Sequence, residues 1–190
     1  QLFNGMQSSL SMVYDREMGS MKTMLVSPVP RWFLILSKLL AGVFVSILQV
    51  YAFLLIASFW NIVPPIYGYI TLLPALLFSG LMLGALGMFL SSAIKQLENF
   101  AGVMNFVIFP MFFASSALYP LWKIEETSEW LYYVCLYNPF TYAVEILRFS
   151  LYSEFNLEYT LGVIIFSIIF LTLAILGYDP SRGSIQKKGR

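Results

Sequence analysis

The chain has no histidine, one cysteine and very little charge. Asp, Glu, Lys and Arg make up 11% of its 190 residues, against about 25% in an ordinary soluble domain. So little charge excludes a soluble globule, and it also excludes disorder, which needs polar, charged sequence. Without histidine there are no imidazole metal sites and no His general base. Cys135 alone cannot close an internal disulfide. A net charge of +1 offers no basic patch of the size that nucleic acid requires. No G-x-x-x-x-G-K-[S/T] loop is present to cradle a nucleotide, and no G-x-S-x-G elbow to present a nucleophile. What is abundant is apolar: 59% hydrophobic and 17% aromatic residues. The remaining class is an integral membrane protein.

Charge-free runs set the expected spans, since a helix needs roughly 20 apolar residues to cross about 30 Å of hydrocarbon. Leu39 to Ile94 carries no charge and is too long for one span. Asn61-Ile62-Val63-Pro64-Pro65 breaks it, because a Pro-Pro pair stops a helix. The expected transmembrane helices are 37–60, 69–94, 99–118 and 159–178. Residues 1–14 read as the end of a further span, which makes the sequence an expected N-terminal truncation. Nine Lys/Arg fall in 15–38, at Lys95 and in the tail 179–190; only Lys123 and Arg148 fall on the other side. The positive-inside rule then makes the nine-residue side cytoplasmic. The fold class is all-α, a polytopic helical bundle.

No expected span holds an ionisable residue in its central part. Ion-coupled transporters place such groups in the membrane, and an intramembrane acid–base enzyme needs paired carboxylates. Gln49 and Asn105 are the notable polar residues. Either they line a translocation path or they bond helix to helix. Gly80, Gly84 and Gly87 fall on one helix face, where small residues let helices approach closely. Pro110 kinks its span.

Two segments outside the spans are informative. From Asp15 to Pro28, Asp15 can cap a helix and Glu17 suits its first turn. Met18, Met21 and Leu25 repeat at helical spacing. The expectation is an amphipathic helix within 15–31, resting on lipid or docking a cytosolic partner. The outer segment 119–158 is dense in Trp, Tyr and Phe, as at a membrane–water interface. Asn138-Pro139 is an N-cap followed by an N1 proline. The helix begun there puts Thr141, Glu145, Arg148 and Tyr152 on one face, with Glu145 and Arg148 spaced to pair.

These two segments resemble the ABC-2-type permeases, membrane subunits of ATP-driven exporters. The matching pieces are Tyr14-Asp-Arg-Glu-Met-Gly19 with Leu25-Val-Ser-Pro28 and Arg31, and Leu136-Tyr-Asn-Pro-Phe-Thr-Tyr-Ala-Val-Glu-Ile-Leu-Arg148. In detail the chain looks closest to permeases linked to bacterial alcohol-oxidation gene clusters. The resemblance implies six spans in the full protein and a coupling helix seated on an ATPase subunit, with Asp15, Arg16, Glu17, Gly19, Met21, Lys22, Leu25 and Pro28 as its contact region. It implies outer re-entrant helices near an external gate, carrying Asn138, Pro139, Glu145 and Arg148. It also implies a homo- or heterodimer in the bacterial inner membrane, with ATP and Mg on the partner subunit and no cofactor on this chain. A passive channel or a scaffold is the alternative, although a channel needs a polar pore or rings of charge.

Overall fold

The computed structural model describes residues 1–18, 31–94 and 97–177. The described residues are helical almost throughout: α1 (Leu2–Glu17), α2 (Arg31–Ser58), α3 (Ile66–Ala93), α4 (Leu97–Phe113), α5 (Leu121–Thr127), α6 (Glu129–Leu136), α7 (Pro139–Leu151) and α8 (Leu157–Gly177).

Three helices are long and apolar enough to cross a membrane: Trp32–Ser58, Ile66–Ser92 and Leu157–Gly177. α4 is shorter. Its 17 residues cover about 25 Å at 1.5 Å each, less than the ~30 Å of a bilayer core. The expected 99–118 helix therefore stops early, at Phe113. Local chemistry explains the stop. Ser115 donates its hydroxyl to the Phe112 carbonyl (2.6 Å) and accepts from the Ala117 N–H (3.3 Å). Such side-chain bonds give the backbone an alternative to continuing the helix.

α2 ends where the proline pair was expected to end it. Asn61 adopts φ 60, the Asn61 N–H bonds to the Ser58 carbonyl and the Ile62 N–H reaches back to Ala57. This is a left-handed helix stop of the Schellman type, which asparagine tolerates. α7 closes the same way at Ser153 (φ 62), with Glu154 N–H on the Phe149 carbonyl.

α3 is the hub. Over its most apolar stretch 67% of residues are buried, against 22% for α2 and 11% for α8. α1, α2, α7 and α8 all pack on it. α1 runs parallel to its second half: the Gln1 amide donates to the Leu76 carbonyl, and the Ser91 hydroxyl donates to the Met12 sulfur. Glycines permit this approach. A Cβ on Gly87 would lie 2.8 Å from the Gly5 carbonyl oxygen, and one on Gly84 would lie 2.7 Å from Leu39 of α2. α7 lies along the first half of α3. Its end meets the start of α3, where Thr71 donates to the Ser150 carbonyl (2.6 Å), while Phe140 and Ala143 at its beginning share a core cluster with Ala75, Met82 and Leu83. α7 thus reaches inward beside a spanning helix. α5 and α6 pair with each other and expose Trp122, Trp130, Tyr133 and Tyr137, the side chains that favour a membrane interface.

Candidate functional site

Two polar constellations stand out in this apolar molecule. The first joins α7 to the end of α4. Asn138 caps α7, its side-chain oxygen accepting from Phe140 N–H at 3.0 Å. Its amide nitrogen donates to the Met111 carbonyl (2.7 Å) and to the Ala114 carbonyl (2.5 Å). Those acceptors belong to the last turn of α4 and the residue after it, where helical carbonyls lose their intrahelical donors. One turn along α7, Thr141 accepts from the Ser116 N–H. Two turns further on, Arg148 donates to Glu145 at 2.7 Å and to the Ser116 carbonyl at 2.9 Å. Glu145 is 5% exposed, and that guanidinium is its ion-pair partner. Phe112 and Phe140 cover the clasp with ring centroids 5.9 Å apart. The Ser116 hydroxyl is the one buried side-chain polar atom without a partner among the described residues.

The second constellation is a groove between α1 and α2 with a volume of about 290 Å³. α1 contributes Asn4, Gln7, Ser8 and Ser11, which share a face at helical spacing; α2 contributes Lys38, Ala41, Gly42 and Val45. Asn4 donates to Gln49 at 2.7 Å. Lys38 pairs with Asp15 and reaches Ser11 at 3.4 Å. The pair ties the last turn of α1 to the second turn of α2. The stripe is not among the expected site residues, although the spacing 4, 7, 8, 11 and 15 is its signal in the sequence.

The expected site residues fall as follows. Asn138, Pro139, Glu145 and Arg148 meet at the α4 end. Gln49 faces α1, whereas Asn105 lies exposed on α4. Gly80 faces Val43 (3.0 Å from a built Cβ), and Gly84 and Gly87 face α2 and α1. Asp15 does not begin a helix: α1 continues through Glu17, so Asp15 sits in its last turn, where Lys38 rather than a helix dipole neutralises it. The helices of Arg16 and Glu17 are described but not their side chains. Gly19, Met21, Lys22, Leu25 and Pro28 lie outside the described residues, as does the tail 179–190. No group of three metal-ligating side chains gathers among the described residues. Burial pushes the Cys135 thiol up.

The sequence profile of the ABC-2 type transporters matches residues 1–152. The chain belongs to the ABC-2 type transporter family. Among curated proteins it is 30% identical over 153 residues to the "Putative transport permease ycf38" of Cyanophora paradoxa, covering 78% of this chain and 51% of that one. It is likewise 30% identical over 162 residues to the protein of the same name from Porphyra purpurea, covering 84% and 54%. The chain thus spans about half the length of these relatives. No solved structure matches it. Within this ABC-2 chain, the clasp ends a short apolar helix and the groove lies between α1 and α2.

Proposed function

We propose that this chain is the membrane part of an ABC exporter subunit, moving its cargo with ATP hydrolysed on a separate ATPase. The match of the ABC-2 profile over residues 1–152 carries the reading. Two features support it: the chain has no nucleotide-cradling loop, and its spanning helices have no ionisable residue in their central parts. Energy then has to arrive from a partner. On this reading α4 is a fourth span completed by the turn at 114–119, and the full protein has six. The segment 15–31, from the last turn of α1 onward, carries the coupling contact with the ATPase, and the 15–38 side and the tail are cytoplasmic. Two permease copies, identical or not, work in a bacterial inner membrane. The chain itself binds no cofactor and is no enzyme alone; ATP and Mg belong to the partner.

The test is co-purification of the full-length permease with the ATPase encoded beside it, followed by vanadate-sensitive hydrolysis in lipid. A stoichiometric complex is expected. Its hydrolysis and transport should fall at least tenfold in Arg16→Glu, Glu17→Lys and Leu25→Ala while the thermal midpoint stays put. An isolated permease under gentle detergent would favour a channel or a scaffold. Unchanged coupling in all three variants would remove the coupling role from 15–31.

A further inference from the structure

The helix α4 is fastened to the rest of the chain along one face. Phe100, Met104 and Ile108 on that face are buried in the core cluster that holds Val13 and Met82. The opposite face is bare. It carries Gly102, Asn105, Phe109 and Phe113, spaced three and four apart, which helical geometry gathers into a sector about 80° wide. All four are exposed, and a Cβ built on Gly102 meets nothing within 4 Å.

Asn105 is the central residue of α4, which runs from Leu97 to Phe113. It stands about 12 Å from either end at 1.5 Å per residue. Its side chain is too short to reach a headgroup from there, as a lysine does. Among the described residues its amide bonds nothing. On the permease reading above α4 crosses the membrane, so the amide needs a partner where lipid supplies none. Gly102, Phe109 and Phe113 do not make a wet lining, so a water-filled path is not that partner. Another helix is. An amide both donates and accepts, so two copies of the same residue satisfy each other across a two-fold axis, where a patch meets itself. Gly102, one turn away, lets the two backbones come close. A lone asparagine in an apolar helix stripe fixes the register of a helix pair in this way.

We infer that this face of α4 is the seam between two copies of the chain, with Asn105 hydrogen-bonded to its counterpart and Phe109 packed against its own. The seam rests on the permease reading only for the membrane setting of α4.

The test is disulfide crosslinking in native membranes, with the full-length permease carrying serine at every natural cysteine, Cys135 included. Single cysteines are placed by Asn105→Cys and Phe109→Cys on the stripe, and by Val103→Cys on an exposed flank of the same helix. Copper phenanthroline should link Asn105→Cys and Phe109→Cys into a species of twice the chain mass, about tenfold more than Val103→Cys. Equal linking at Val103→Cys would overturn the seam, since it reports random collision. So would an Asn105→Cys thiol that stays unlinked yet reacts with maleimide after denaturation, because lipid, a path or a helix from elsewhere in the chain would then face it. The amide bond has its own readout, dissociation of the pair on dilution into lipid. Asn105→Leu should dissociate about fivefold more readily, and Asn105→Gln should stay close to the parent. An unchanged dissociation constant in Asn105→Leu would overturn the amide pairing. Linked copies that bind no ATPase would sustain the seam and sink the permease reading. ATP-driven transport with Asn105→Cys unlinked would do the reverse.

Discussion

The clasp of α7 and the groove of α1 both place amides, hydroxyls and one ion pair in an apolar protein, but they treat them differently. In the clasp, Asn138 bonds through both ends of its side chain, and Arg148 holds a carboxylate and a carbonyl at once. In the groove, Asn4 and Gln49 satisfy each other only in part, Gln7 bonds nothing among the described residues, and the Lys38–Asp15 pair is about a quarter exposed. A closed polar network fixes a structure, because breaking it strands desolvated groups. An open one leaves hydrogen-bonding capacity for something else. The contrast separates residues that hold this molecule together from residues whose polar groups stay open on its surface.

Substitutions should follow that division, with the clasp giving the largest effects. Arg148→Met strands the Glu145 carboxylate at 5% exposure and should cost about 3 kcal/mol or more of stability, read as a fall in the thermal midpoint of the purified permease. Loss of the Glu145 partner is the cause, so Glu145→Gln combined with Arg148→Met should recover part of the loss; no recovery would show that Arg148 acts through the Ser116 carbonyl alone. Asn138→Ala removes an N-cap and two bonds to the α4 end, and should cost about 2 kcal/mol; an unchanged midpoint would mean the clasp does not fasten α4. In the groove, Gln49→Leu should shift stability by only about 0.5 kcal/mol, as for exposed positions generally. A larger fall would place the groove among the structural elements and erase the contrast.

The sequence revealed the clasp only from one side. Asn138-Pro139 announces a helix start by local chemistry alone, and Glu145 and Arg148 are close enough in sequence for helix geometry to pair them. Their other partners, Met111, Ala114 and Ser116, lie 24 to 32 positions away, and no local rule connects a cap to the end of a different helix. The same limit explains α4. Its apolar run continues to Leu118, so hydropathy extends the helix, whereas hydrogen bonds from Ser115 and Asn138 end it. The turn at 61–65 was legible because proline and asparagine act on their own backbone. The stripe on α1 was written in the spacing of Asn4, Gln7, Ser8 and Ser11, but a groove needs two walls. Only the pairing of α1 with α2 sets Gly42 and Lys38 opposite it.

The glycine contact between α1 and α3 has a mechanical consequence. Gly5, Gly84 and Gly87 bring two backbones together in the middle of a seam whose flanks are filled by the side chains of Leu2, Met12 and Val13 against Met82, Leu83, Ala85 and Met88. The close backbone approach is what lets those flanking side chains reach their partners, and the Gln1–Leu76 and Ser91–Met12 bonds fix the register at the two ends. A side chain added at Gly5 or Gly87 would therefore act as a spacer, loosening contacts well away from itself. Asp15 and Lys38 carry the same joint on to α2 at the last turn of α1.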